Sequence, residues 1–145
     1  MIQIEGALIE WMRSDATLVS LTSHATSDLR IVMHLPDMDV KLPSLILDGD
    51  TEQELLAGRT VYSARYRAEA YASTRVAASG IIKRLRDVIV NVSTTARRSR
   101  GPDFSNDNVQ AHSLELNSIG ALDWNPDMKY WSGELAFLVV WSFKS

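Results

Sequence analysis

Four carboxylates, Asp48, Asp50, Glu52 and Glu54, recur at alternate positions. On an extended chain they would project from one side, as oxygen ligands for Mg²⁺ or Ca²⁺ must. The run lacks the twelve-residue calcium-loop pattern, and an acidic turn closing a strand is its ordinary explanation. The three histidines, His24, His34 and His112, have no second histidine at the three- or four-residue helical spacing of a zinc pair. Cysteine is absent, which removes thiolate metal sites, disulfides and a cysteine nucleophile together, and fits synthesis in a reducing cytoplasm. No Gly-x-Ser-x-Gly elbow, Ser-x-x-Lys pair or glycine-rich phosphate loop occurs. The expectation is therefore no catalytic residue, no cofactor and no metal.

Arg97, Arg98 and Arg100 are a different kind of signal. Guanidinium groups fork onto carboxylates or phosphates, so the trio reads either as a partner contact or as a solvated tip. No aromatic lies among them to stack a base, which disfavours single-strand recognition.

The elements that would carry these residues follow from hydrophobic spacing. Ile4, Leu8, Trp11 and Met12 share a helical face over residues 2–13. Ser14 and Asp15 are capping types before a short second helix with Leu18, Val19 and Leu21. Short strands are expected at 29–33 and 45–47, the second closed by Asp48-Gly49-Asp50. From Thr60 to Ala72 the sequence alternates, with Tyr62, Ala64, Tyr66, Ala68 and Ala70 against Arg65, Arg67, Glu69 and Tyr71. That is a long strand with one wet face. Ser73 and Thr74 cap a helix whose apolar positions are Ala77, Ile81, Leu85, Val88 and Val92. A polar stretch, Thr94 to Asn108, has Phe104 as almost its only apolar residue and is long for a connection inside a domain. Strands at 109–122 and 131–143, joined at Asn125-Pro126-Asp127, form a closing hairpin.

The result is one α+β domain over residues 1–145: a mainly antiparallel sheet of about five strands with two main helices on one face. The last strand places Trp131, Leu135, Phe137, Val139 and Trp141 on one side and Ala136, Leu138 and Val140 on the other, so both faces call for burial. Either a partner covers the second face or the chain itself does.

At 145 residues and 16.2 kDa, with 46% hydrophobic and 23% charged residues, the composition is that of a globular chain, which excludes disorder and a coiled-coil rod. The longest apolar run, Leu135 to Trp141, is seven residues, far below the ~20 of a membrane span. No membrane partner is expected, and the first residues lack a signal-peptide pattern. The net charge of −3 conceals segregation: residues 1–58 hold 10 acids and 3 bases, 59–101 hold 2 and 10, and 102–145 hold 6 and 2. Such blocks suit docking between acidic and basic protein surfaces, or are solvated faces, and they lack the overall basic balance of a nucleic-acid binder.

The order of these pieces resembles the tail terminator, or tail completion, proteins of long-tailed bacteriophages. The resembling stretches are Gly6-Ala7-Leu8-Ile9-Glu10-Trp11-Met12 with Asp15-Ala16-Thr17-Leu18-Val19-Ser20-Leu21, then Arg30-Ile31 and Leu42-Pro43-Ser44-Leu45-Ile46-Leu47. Tyr66-Arg67-Ala68-Glu69-Ala70-Tyr71-Ala72 running directly into a helix, and the final hairpin strand, complete the pattern. The resemblance implies a non-enzymatic virion protein of the neck that is assembled in the host cytoplasm. It implies a hexameric homo-oligomeric ring that caps the tail tube protein, ends tube polymerisation and offers a docking surface to the head-tail connector protein. Genomic DNA would pass through the ring without sequence-specific binding, in a bore that is not strongly basic. The residues expected at partner interfaces are Arg97, Arg98, Arg100, Asp48, Asp50, Glu52, Trp131 and Trp141. The competing expectations are a small metal-dependent hydrolase or nuclease built on Asp48, Asp50 and Glu52, and a head-side neck connector protein.

Overall fold

A computed structural model describes residues 3–56, 61–95, 104 and 108–144. Helix α1, Gln3–Arg13, buries Ile4, Ala7, Leu8 and Met12. Its C-terminal Arg13 donates from Nε to the Ile31 carbonyl at 2.9 Å, tying the helix to the first strand. Helix α2, Ala16–Thr22, starts at Asp15, whose carboxylate accepts from the Leu18 N–H at 2.9 Å, and ends at Ser23 in the left-handed conformation. Leu18 and Thr22 face inward, and the Thr22 hydroxyl donates to the Leu18 carbonyl. Helix α3, Arg75–Thr95, begins where the Thr74 hydroxyl accepts from the Ala77 N–H.

Six strands form one sheet: β1 Ile31–Met33, β2 Ser44–Leu56, β3 Val61–Ala72, β4 Val109–Ile119, β5 Asp123–Asn125 and β6 Tyr130–Phe143. The order is β1-β2-β3-β6-β4, with β5 also paired to β6. All pairs are antiparallel except β1 with β2. The α+β class and the mainly antiparallel sheet with helices on one face agree with the sequence reading.

Three details differ. The second strand does not close at Asp48-Gly49-Asp50; it continues to Leu56 because β3 supplies a partner along its length, with a register shift between Gly49 and Thr51. Asp123–Asn125 adds a sixth strand next to the Asn125 turn, where the Asn125 side chain accepts from the Asp127 and Met128 N–H groups. The buried stripe of α3 is Ala78, Ile81, Ile82, Leu85 and Ile89, turned from the expected Ala77 and Val88. Ile82 reaches β6 because position 133 is glycine: a Cβ there would stand 2.9 Å from Ile82 and 2.8 Å from Leu122.

The core lies between the helices and one sheet face, with Tyr66, Phe137, Leu135, Val139 and Trp141 from β3 and β6 meeting Ile4, Leu8, Ile81 and Leu85. Phe104 is 5% exposed and belongs to the same core. The Lys144 ammonium donates to the Phe104 carbonyl at 2.9 Å.

Candidate assembly interface

Helices pack on one face of the sheet; on the other, Ile46 of β2 and Ala136 of β6 are buried, while Leu138 and Val140 of β6 are half-buried. Strand alternation puts Arg65, Arg67, Glu69 and Tyr71 of β3 on that second face, next to Glu134, Ala136, Leu138 and Val140 of β6. The pairing is Arg67 with Ala136, Glu69 with Glu134, and Arg65 with Leu138. On the far side of β3, Asp48 pairs with Arg67, and their side chains form an ion pair at 3.2 Å. Along this second face of β6, Ala136 is buried and Leu138 and Val140 are half-buried, whereas Leu135, Phe137, Val139 and Trp141 on the helix side are fully buried.

Glu69 and Glu134 stand directly across from each other, an arrangement that costs energy unless a cation intervenes. Arg67 is the nearby cation. Burial works against its charge, but Glu134, Glu69 and Asp48 together outweigh that and raise its pKa. Its buried Nε has no hydrogen-bond partner among the described residues. Glu69 also accepts a short hydrogen bond from the Tyr71 hydroxyl; burial, then that bond, raises the Tyr71 pKa. Asp123 and Ser132 complete a groove of about 320 Å³ with Glu69 and Glu134. The groove continues past Tyr71, Tyr130 and Trp124, with the two tyrosine rings edge to face at 5.0 Å.

The residues singled out in the sequence are scattered over this frame. Asp48 lies on the second face, bonded to Arg67. Asp50 falls at the register shift, and Glu52 is paired with Ala64, whereas Asp48 is paired with Arg67. The backbone alternation along this acidic run is interrupted by the register shift between Gly49 and Thr51. Trp131 is half-buried, 5.6 Å from Trp124 across β5 and β6, with the Arg75 guanidinium 5.7 Å over its ring. Trp141 is 2% exposed and stacks on Tyr62 at 4.8 Å, so its side chain belongs to the core. Arg97, Arg98 and Arg100 lie outside the described residues. Among the described residues, no group of three His, Cys, Asp or Glu is placed to hold a metal ion.

The Glu69, Asp123 and Glu134 grouping, with Tyr71, Tyr130 and Trp124 beside it, was not legible in the sequence. Its members come from three strands and meet only through register.

No protein-family model matches the chain, and no curated protein shows significant similarity to it. Among solved structures, a chain from the virion of a native gene transfer agent particle superimposes with a TM-score of 0.62 at 12% sequence identity. The match covers 97% of this chain and 95% of that chain. The two share a fold over essentially their whole lengths.

Proposed function

We propose that this protein is a structural component of a phage-like virion, acting at the neck as a tail terminator. It forms a ring on the finished tail tube, stops tube growth and gives the head connector a surface on which to dock, while DNA passes through the opening. The observation that carries this reading is the fold shared, over nearly the full length of both chains, with a virion component of a gene transfer agent particle. The second sheet face supports it, because a half-buried apolar strand centre bordered by charges is what a subunit interface covers. The segregated charge blocks support it as well, since a heterologous contact between unlike surfaces closes into a ring when its rotation permits.

In this reading the protein is no enzyme, and Asp48, Asp50 and Glu52 serve contacts between subunits. Arg97, Arg98 and Arg100 reach carboxylates on a neighbouring ring or subunit. The test is negative-stain microscopy of the concentrated protein, alone and with purified tail tubes. Rings that bind tube ends support the reading. A strict monomer in both conditions sinks it, and rings that bind isolated heads instead of tubes place the protein on the head side of the neck.

A further inference from the structure

We propose that the second sheet face receives the exposed ridge of α3 from a second copy of this chain, so that subunits join head to tail. This deepens the ring reading above and rests on it.

The receiving face has an apolar strip along β6, Leu138 and Val140, with Glu134 at one end and Glu69 and Asp123 beside it. Its two directly opposed glutamates share Arg67 with Asp48, so the face holds more negative than positive charge where Glu69 meets Glu134. A cation from outside relieves that repulsion.

The ridge that fits it is on the opposite side of the molecule. Along α3, Val76 is 83% exposed and Val90 39% exposed, and Lys83, Arg86 and Asp87 lie between them on the exposed side. The helix carries four bases and one acid. Two of those bases are engaged with carboxylates within the chain: Arg84 with Asp15, and Arg86 with its neighbour Asp87 in an exposed pair that contributes little. A Cβ at Gly80 would meet nothing within 4 Å, so the ridge is low where the helix backbone must come close to a flat sheet.

Lys83 and Val90 are about 10.5 Å apart along a helix axis, and Ala136 and Leu138 lie about 6.6 and 13 Å from Glu134 along a strand. Lys83 on Glu134 therefore brings Val90 between Ala136 and Leu138. The opposite charges of Glu134 on the face and Lys83 on the ridge favour face against ridge, so the contact is heterologous and repeats around a ring.

The experiment measures association of the full chain by light scattering across concentration. Lys83→Glu and Glu134→Lys should each raise the half-association concentration at least tenfold. The doubly swapped chain should return to within threefold of the original. An equimolar mixture of the two single variants should also reassemble, because every ridge then meets a face of opposite charge in an alternating ring. Arg86→Glu provides a second ridge variant, and melting curves within a few degrees of the parent establish that each variant is folded. If rings form and the single variants associate like the parent, or if neither swap nor mixing restores what the singles lose, this interface is wrong while the ring stands. If the parent never associates, the ring reading fails and this contact fails with it.

Discussion

Asp15 shows how one side chain serves two levels of structure. Its carboxylate caps α2 through the Leu18 N–H and also takes both Nε and Nη2 of Arg84 on α3, at 3.0 and 2.7 Å. The Arg84 bond, with the Leu18 bond adding to it, holds its pKa below the ordinary carboxylate value in spite of burial. Asp15→Ala should cost about 1–2 kcal/mol, the upper part of the range for a lost cap, read as a shift in the urea midpoint. Asp28 behaves alike: Arg30 and Lys41 bring its pKa to about 2. Both carboxylates have lowered pKa values in the folded state, so their contribution is complete above the unfolded value of about 3.9 and is lost as pH falls below it.

His24 has the same sign in a higher window. Its Nδ1 accepts from the Arg30 and Ile31 N–H groups at 2.9 and 3.1 Å, which requires that nitrogen to be unprotonated. Burial, then Arg13, lowers its pKa. The unfolded chain therefore takes up the proton first, and stability present above about pH 6.5 declines as the pH drops below it. A melting series from pH 7.5 to 5.5 should show this fall, and His24→Gln should flatten it. An unchanged slope in the variant would remove His24 as the cause.

At the scale of elements, glycine decides how α3 seats on the sheet. Gly133 lets Ile82 and Leu122 approach to distances that a Cβ would contest, and both opposing groups belong to packed side chains. Gly133→Ala should destabilise by about 1–3 kcal/mol, the range for overpacking a filled core. Gly80→Ala, with open space around it, should instead be neutral or stabilising, since alanine is the better helix former. Equal effects at both positions would contradict the seating described for α3. Gly49 has a related role on β2, where a Cβ would come 3.2 Å from the Glu5 carboxylate, beside the register shift that displaces Asp50.

For the whole molecule, the decisive property is that the helices pack on one sheet face while the other keeps Leu138 and Val140 half-buried beside charged side chains. A ring held partly by unlike charges loosens as salt rises, because exposed charges are screened over about 10 Å at 0.1 M. Raising NaCl from 0.05 to 0.5 M should move the association midpoint upward, as followed by sedimentation. Arg97→Glu with Arg98→Glu should leave stability within about 0.5 kcal/mol, as surface changes do, yet lower the yield of head-joined tails. Normal yield would return these arginines to a solvated tip. Added Mg²⁺ or Ca²⁺ should not raise the melting temperature; a clear rise would revive the metal-dependent reading, because a ligand bound only by the folded state stabilises it.

Periodicity by itself determined the helices at each end of the N-terminal segment, the alternating strand through Tyr66 and Ala70, and the closing hairpin, because side-chain spacing along one element is a local property. It also carried the capping by Asp15 and Thr74, which acts within a few residues. The tertiary structure decided what depends on partners far away in the chain. Pairing with β3 extended β2 beyond its apolar run and placed the bulge that separates Asp48 from Glu52. Packing against Gly133 set the rotation of α3, burial assigned Trp141 to the core and left Trp131 half-exposed, and register brought Glu69 and Glu134 face to face. Sheet register is a contact between distant segments, and a one-residue shift exchanges the faces of every side chain that follows, which no local pattern encodes.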